Sequence, residues 1–145
     1  MIKIICVGKI KEKYLTDLIY DYKTRISKYQ KIEIMELKDN NIEGESNEIL
    51  NHLNNKDYNI LMDIHGKKIN SVDLSNLIDS KFTTGYNTIT FIIGGSNGVN
   101  EAVKENVQML LSFSDMTFPH GLFRGILLEQ IYRSFKILNN ESYHK

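Results

Sequence analysis

Short runs of β-branched and apolar residues alternate with longer amphipathic stretches along this chain of 145 residues. The runs IKIICV (residues 2–7), YNILMDI (residues 58–64) and ITFII (residues 89–93) have the composition of strands that are buried on both faces. The stretches between them carry apolar residues at helical spacing. The alternation predicts a single α/β domain over residues 1–145, with a mostly parallel sheet flanked by helices.

The same periodicity predicts where the other elements lie. We expect the strand over residues 58–64 to end at His65-Gly66, because glycine commonly closes a strand. Pro119 should introduce a long final helix, since proline suits the first helical turn. The remaining expectations are a helix over Tyr14–Tyr29, a strand over Ile32–Leu37, a helix around Ile49 and Leu53, a helix that Ser71 caps, a helix from about Asn100 and a strand over Met109–Phe113.

Composition excludes several classes of protein. Apolar residues make up 41% and charged residues 25% of the chain, as in ordinary globular domains, and no apolar run is long enough to span a membrane. The start, MIKIICVGKIKEK, turns polar too early for a signal peptide. One cysteine and four histidines offer no metal-ligand spacing, so we expect no metal. Cys6 is predicted to be a reduced core residue of a cytoplasmic protein.

The net charge is zero, but the charges are unevenly distributed. Residues 1–38 carry a net charge of +4, residues 39–118 a net charge of −6, and residues 119–145 a net charge of +2. A zero total argues against indiscriminate binding to nucleic acid. If the two basic ends of the chain lie on the same face of the protein, they form a surface that can bind an anionic partner. Ordinary amphipathic helices with solvent-exposed basic faces explain the same pattern. Charge alone leaves both interpretations open.

The sequence Gly94-Gly95-Ser96-Asn97-Gly98 follows a predicted buried strand. Glycine permits positive φ and close approach to the backbone, so the loop is either a tight turn or a surface on which a ligand lies against the main chain. A dinucleotide-binding fingerprint needs G-x-G-x-x-G after the first strand, and a phosphate-binding P-loop needs G-K-[S/T]. Neither pattern is present. The loop therefore leaves a turn and a ligand site as alternatives.

Four stretches of the chain together resemble the RlmH family of SPOUT-class methyltransferases, which act on bacterial ribosomal RNA. They are MIKIICVGKIKEKYL, FIIGGSNGV, LSFSDMTFPHGLFR and LLEQIYRSFKILNNESYHK. The resemblance covers almost the whole chain and implies a deep trefoil knot near its C-terminal end. It also implies that knotted loops hold S-adenosyl-L-methionine, with contacts at Met62, Gly94, Phe113, Ser114, Asp115, Met116, Thr117 and Phe118.

The resemblance further implies methylation of N3 of pseudouridine 1915 in helix 69 of 23S ribosomal RNA, on the assembled ribosome. His144 is a candidate to accept the proton that N3 loses, and Tyr143 is a candidate to stack on the base or to donate a hydrogen bond to it. Arg124 and Arg133 are candidates to hold phosphate or to stabilise negative charge on the base. For His120, at the start of the last helix, we expect a structural role.

SPOUT enzymes work as dimers, so the resemblance also implies a homodimer. The apolar surface of the last helix supports this expectation, and we expect the tail of one subunit to complete the site of the other. The family usually has glutamine where this chain has Gly121, and a longer connection after Leu37. Two alternatives remain: a methyltransferase of this fold that modifies another RNA position, and a non-catalytic module that binds ribosomes.

Overall fold

The structure is a computed structural model that describes residues 1–145. Its five strands are β1 (Ile2–Val7), β2 (Ile32–Leu37), β3 (Tyr58–Lys68), β4 (Ile89–Ile93) and β5 (Met109–Ser112). Its five helices are α1 (Lys13–Ser27), α2 (Ile42–His52), α3 (Ser71–Thr83), α4 (Glu101–Glu105) and α5 (His120–Leu138). The strands form one sheet in the order β2-β1-β4-β3-β5, and every pair is parallel. The predicted α/β architecture is therefore confirmed.

Strand β1 shows why the sheet is buried on both faces. Its side chains alternate between two apolar clusters: Ile2 and Ile4 lie in one and Ile5 in the other. Helices α1, α3 and α5 cover the first face and α2 and α4 cover the second. Because all strand pairs are parallel, the carboxyl ends of the strands lie at the same edge of the sheet, where ligands bind in open α/β folds.

The prediction that the third strand ends at His65-Gly66 was wrong. Strand β3 continues to Lys68 and pairs with β5 on both sides of an irregularity between Met62 and Lys67. A Cβ atom on Gly66 would lie 2.6 Å from the backbone carbonyl carbon of Leu110. Glycine at this position lets the bulged strand approach its neighbour, and it does not end the strand.

Helix α3 is capped one residue earlier than predicted. The side chain of Asn70 accepts a hydrogen bond from the backbone N–H of Asp73 at 2.8 Å, and the Asp73 carboxylate accepts one from the Asn70 N–H at 3.1 Å. This reciprocal pair is a capping box. Ser71, the predicted cap, is the first helical residue, and its hydroxyl donates to Oε1 of Gln130 on α5 at 2.6 Å.

Cys6 lies in the core, as predicted, and forms no disulfide. Burial raises the pKa of its thiol to about 11, so the thiol is protonated at neutral pH. None of the helices has both the length and the apolar character that crossing a membrane requires.

Candidate active site

A cavity, which we call the first cavity, opens at the carboxyl ends of β3, β4 and β5. Its volume is about 470 Å³, within the range of small-molecule sites in proteins. Three segments form its walls: the end of β3, the glycine-rich loop after β4 and the loop between β5 and α5. The three belong to adjacent strands of the sheet, so parallel pairing brings them together from distant parts of the sequence.

The glycine-rich loop after β4 is a tight turn. The N–H of Gly98 donates to the carbonyl oxygen of Gly95 at 3.0 Å, and Gly98 has a positive φ of 82°. A Cβ atom on Gly94 would lie 2.8 Å from Cγ1 of Val99, and one on Gly95 would overlap the carboxylate of Glu45 on α2. A larger residue at either position would therefore displace the side chain of Val99 or Glu45. Because these glycines also line the first cavity, the turn presents its main chain there.

Most of the predicted cofactor residues lie together around the first cavity. Phe118 stacks on Phe123 with 6.0 Å between ring centroids, and Phe113 lies 5.6 Å from the same ring. The hydroxyl of Ser114 accepts a hydrogen bond from the N–H of Met116 at 2.9 Å, which shapes the loop before α5. The predicted residues that line the cavity are Met62, Gly94, Phe113, Ser114, Met116, Thr117 and Phe118.

Asp115 is the predicted cofactor residue that does not line the first cavity. Its side chain is 81% exposed and forms an ion pair with Lys68 at the end of β3. A different carboxylate faces the cavity. Asp63 on β3 is 14% exposed, accepts a hydrogen bond from the N–H of His65 at 2.8 Å and lies 3.9 Å from Nζ of Lys104.

Sequence reasoning missed Asp63, although a signal was present. An acid next to an apolar strand needs a polar or charged neighbour, and this argument applies to Asp63 at the end of YNILMD as well as to Asp115.

A second cavity adjoins the first. It has a volume of about 350 Å³ and lies beyond the ends of β1 and β2, against the start of α5. Gly95, Ser96 and His120 line both cavities and therefore form their common wall. Gly121 also lines the second cavity.

Arg124 lies in the wall of the second cavity, not of the first. Its side chain is 2% exposed, donates from Nη1 to Oε2 of Glu36 at 2.6 Å and donates from Nη2 to the carbonyl oxygen of Gly8 at 3.0 Å. A buried guanidinium needs such partners, because the loss of hydration is costly. Arg124 thus joins α5 to β1 and β2, while its Nε is buried without a partner.

His120 separates the two cavities. Its Nε2 is buried and has no hydrogen-bond partner. Burial lowers the pKa of the imidazole, the nearby charge of Arg124 lowers it further, and the Val7 backbone and the carboxylates of Asp39 and Glu45 oppose the shift. The ring is therefore mostly neutral at pH 7.

Tyr143 and His144 follow the end of α5, pack back against that helix and line neither cavity. The ring of Tyr143 packs edge-on against Tyr132 at 5.0 Å, with the guanidinium of Arg133 4.7 Å from its centre. Nδ1 of His144 lies 3.2 Å from Nη1 of Arg133. A rise of about 1.5 Å per residue puts Arg133 about 14 Å along α5 from Arg124, the nearest residue of that helix that lines a cavity.

Structural comparison identifies the fold. The crystal structure of tRNA (m1G37) methyltransferase from Aquifex aeolicus superimposes with a TM-score of 0.52 over 91% of this chain and 69% of that chain. The two sequences are 17% identical, so this similarity concerns the fold alone.

Sequence comparison identifies the family. A family model described as "Predicted SPOUT methyltransferase" matches residues 1–144. Proteins named ribosomal RNA large subunit methyltransferase H are 49% identical in Fusobacterium nucleatum and 48% in Clostridium botulinum strain Kyoto, over 99% of this chain and of each relative. The one from Caldicellulosiruptor saccharolyticus is 41% identical over the full length of both. This chain belongs to the RlmH family of SPOUT methyltransferases.

Proposed function

We propose that this protein uses S-adenosyl-L-methionine to methylate N3 of pseudouridine 1915 in helix 69 of 23S ribosomal RNA. The observation that carries the proposal is the full-length similarity to proteins named as large-subunit ribosomal RNA methyltransferases. The first cavity supports it, because loops from three adjacent strands surround a space of suitable size for a nucleoside-derived cofactor. A ribosomal substrate also implies a cytoplasmic enzyme.

The residues around the first cavity fit this cofactor. Phe113, Phe118 and Met62 offer apolar surface to an adenine ring, and the turn after β4 offers main-chain polar groups. When bound, S-adenosyl-L-methionine supplies a methyl group on a positively charged sulfonium. Asp63 supplies the complementary negative charge. Its ion pair with Lys104 is long, at 3.9 Å between Nζ and Oδ2, so the carboxylate can interact with the sulfonium. We infer that the segments around this cavity form the trefoil knot of the family.

The proposed substrate side includes residues of a second subunit. Tyr143 and His144 line neither cavity of their own chain, and Arg133 beside them lies about 14 Å along α5 from Arg124, so we propose that they contact substrate in the site of a partner. We therefore propose a homodimer in which the tail of each subunit completes the site of the other. Arg133 holds His144 and Tyr143 against α5 in the isolated chain.

Mass spectrometry of 23S fragments tests the substrate. Ribosomes from a strain that lacks the gene should gain one methyl group on pseudouridine 1915 when incubated with the purified protein and S-adenosyl-L-methionine. Methylation of transfer RNA with no change in helix 69 would identify a methyltransferase with another substrate. A pseudouridine that keeps its methyl group in the deletion strain would contradict the proposal.

Calorimetric titration with S-adenosyl-L-methionine tests the cofactor site. Asp63→Asn should weaken binding by about tenfold, because replacing a charge-assisted contact with a neutral one costs about 1.4 kcal/mol. Asp79→Asn, on the exposed surface of α3, serves as the control and should bind normally. No binding by the wild-type protein would favour a non-catalytic ribosome-binding module, and equal binding by both variants would remove Asp63 from the site.

A further inference from the structure

The second cavity has the position that a methyl acceptor requires. A nucleophile reacts when it lies about 3–3.5 Å from the carbon it attacks, so its site must open onto the methyl-donor site. The second cavity adjoins the first, because Gly95, Ser96 and His120 line both cavities.

Both basic and acidic side chains line the second cavity, and this mixture suits a neutral base better than a negatively charged phosphate. Lys9 lies there without an ion-pair partner and can donate to a base carbonyl. Nε of Arg124 is a second donor without a partner. Asp39 and Glu12 also line the space and would repel a phosphate. A uracil-type ring has an N–H between two carbonyl groups. It therefore fits a site in which the protein offers two hydrogen-bond donors to the carbonyl groups and one acceptor to the N–H.

His120 provides that acceptor. Its Nε2 is buried without a hydrogen-bond partner, which is unfavourable, and a donor group of the substrate would remove this penalty. His144 is less suited to the role in the arrangement seen here. A guanidinium only donates hydrogen bonds, so Nδ1 of His144 is already used to accept a hydrogen bond from Arg133.

We infer that the second cavity binds the base of the substrate nucleotide and that Nε2 of His120 accepts the proton from its attacking N3. The inference rests on the proposed methylation. As N3 loses its proton to His120, its electron pair forms the new bond to the methyl carbon, and the former carbon–sulfur pair leaves with the neutral thioether. His120 becomes an imidazolium and later releases its proton to water, while Lys9 stabilises charge on the base carbonyl.

Single-turnover methylation of ribosomes over a range of pH tests this role. His120→Ala should lower the rate at pH 7 by about 10²–10⁴-fold. The wild-type rate should level off above the pKa of His120, which burial and Arg124 lower and which Asp39 and Glu45 raise, with Lys9 and Glu12 also lining the second cavity. The His120→Ala rate should instead rise about tenfold per pH unit, because hydroxide must then remove the proton. His52→Ala, outside both cavities, is the control and should behave as wild type.

Two further measurements do not depend on activity. Circular dichroism of His120→Ala should match that of the wild-type protein, which shows that the variant folds. Nitrogen NMR of the wild-type protein should show His120 neutral at pH 7 with its proton on Nδ1 and Nε2 free to accept. A proton on Nε2, or an unchanged rate and pH profile in His120→Ala, would overturn the inference. An inactive wild-type protein would instead contradict the proposed function.

Discussion

Gly94 illustrates how one residue joins the sheet to the proposed cofactor site. A valine here would place its Cβ 2.8 Å from Cγ1 of Val99 and push the turn after β4 out of place. The turn lines the first cavity, so we expect Gly94→Val to lower affinity for S-adenosyl-L-methionine by about tenfold or more. Calorimetric titration measures the change.

A second substitution can separate crowding from other effects of replacing Gly94. Gly94→Ala alone should weaken binding less than Gly94→Val, and addition of Val99→Ala should restore it, because this removes the methyl group in the way. Normal cofactor binding by Gly94→Val would show that this turn does not shape the site.

His120 should make stability depend on pH. Its pKa in the folded protein is lowered, mainly by burial and then by Arg124, while the unfolded chain has the ordinary value of about 6.5. Below about pH 6.5 the unfolded chain therefore binds more protons, and the free energy of unfolding falls as the pH drops toward the folded pKa. Urea unfolding of wild type and His120→Gln between about pH 7.5 and pH 5 should show a smaller loss in the variant. Parallel curves would contradict a buried neutral His120.

At the scale of elements, the capping box of α3 gives a measurable prediction. Asn70→Ala removes the acceptor for the N–H of Asp73 and should lower the free energy of unfolding by about 1 kcal/mol. Asn76→Ala, at an exposed position of the same helix, should change it by less than about 0.5 kcal/mol. Urea unfolding of both proteins measures the difference. Equal stability would mean that α3 depends only on its packing against α5.

The bulge in β3 shows what an element can contribute to a site. By extending β3 past Met62, it places Asp63 and His65 along the first cavity and brings Lys68 to Asp115. Local periodicity predicted a strand at this position but not its extension. Pairing with β5 decides that extension, and β5 lies more than forty residues later in the sequence.

At the scale of the whole molecule, the position of the tail leads to a prediction about assembly. Sedimentation at micromolar concentration should show a dimer, and a stable monomer would contradict the proposal. His144→Ala should lower methyl transfer and leave cofactor affinity nearly unchanged, because His144 lines neither cavity of its own chain. An equal loss of cofactor binding would argue against a role at the substrate.

Mixed dimers test whether the tail acts on the partner subunit. When His144→Ala and Gly94→Val chains are combined, a heterodimer contains one site with an intact turn from one chain and an intact tail from the other. Random mixing should recover roughly one quarter of wild-type activity. A tail that acts within its own chain would leave every site in the mixture defective.

The sequence by itself determined the order and type of the elements, the burial of β1 and Cys6, and the family. Alternating apolar residues and helical spacing act over a few residues, so they can be read locally. The family resemblance also predicted that Met62, Gly94 and residues 113–118 share one site, and most of these residues line one cavity in the structure. Tertiary structure alone decided that Asp63 faces this cavity and Asp115 does not, that His120 separates two cavities, and that the tail lines neither. These facts depend on strand register and on the direction of α5, which contacts between residues distant in the sequence determine.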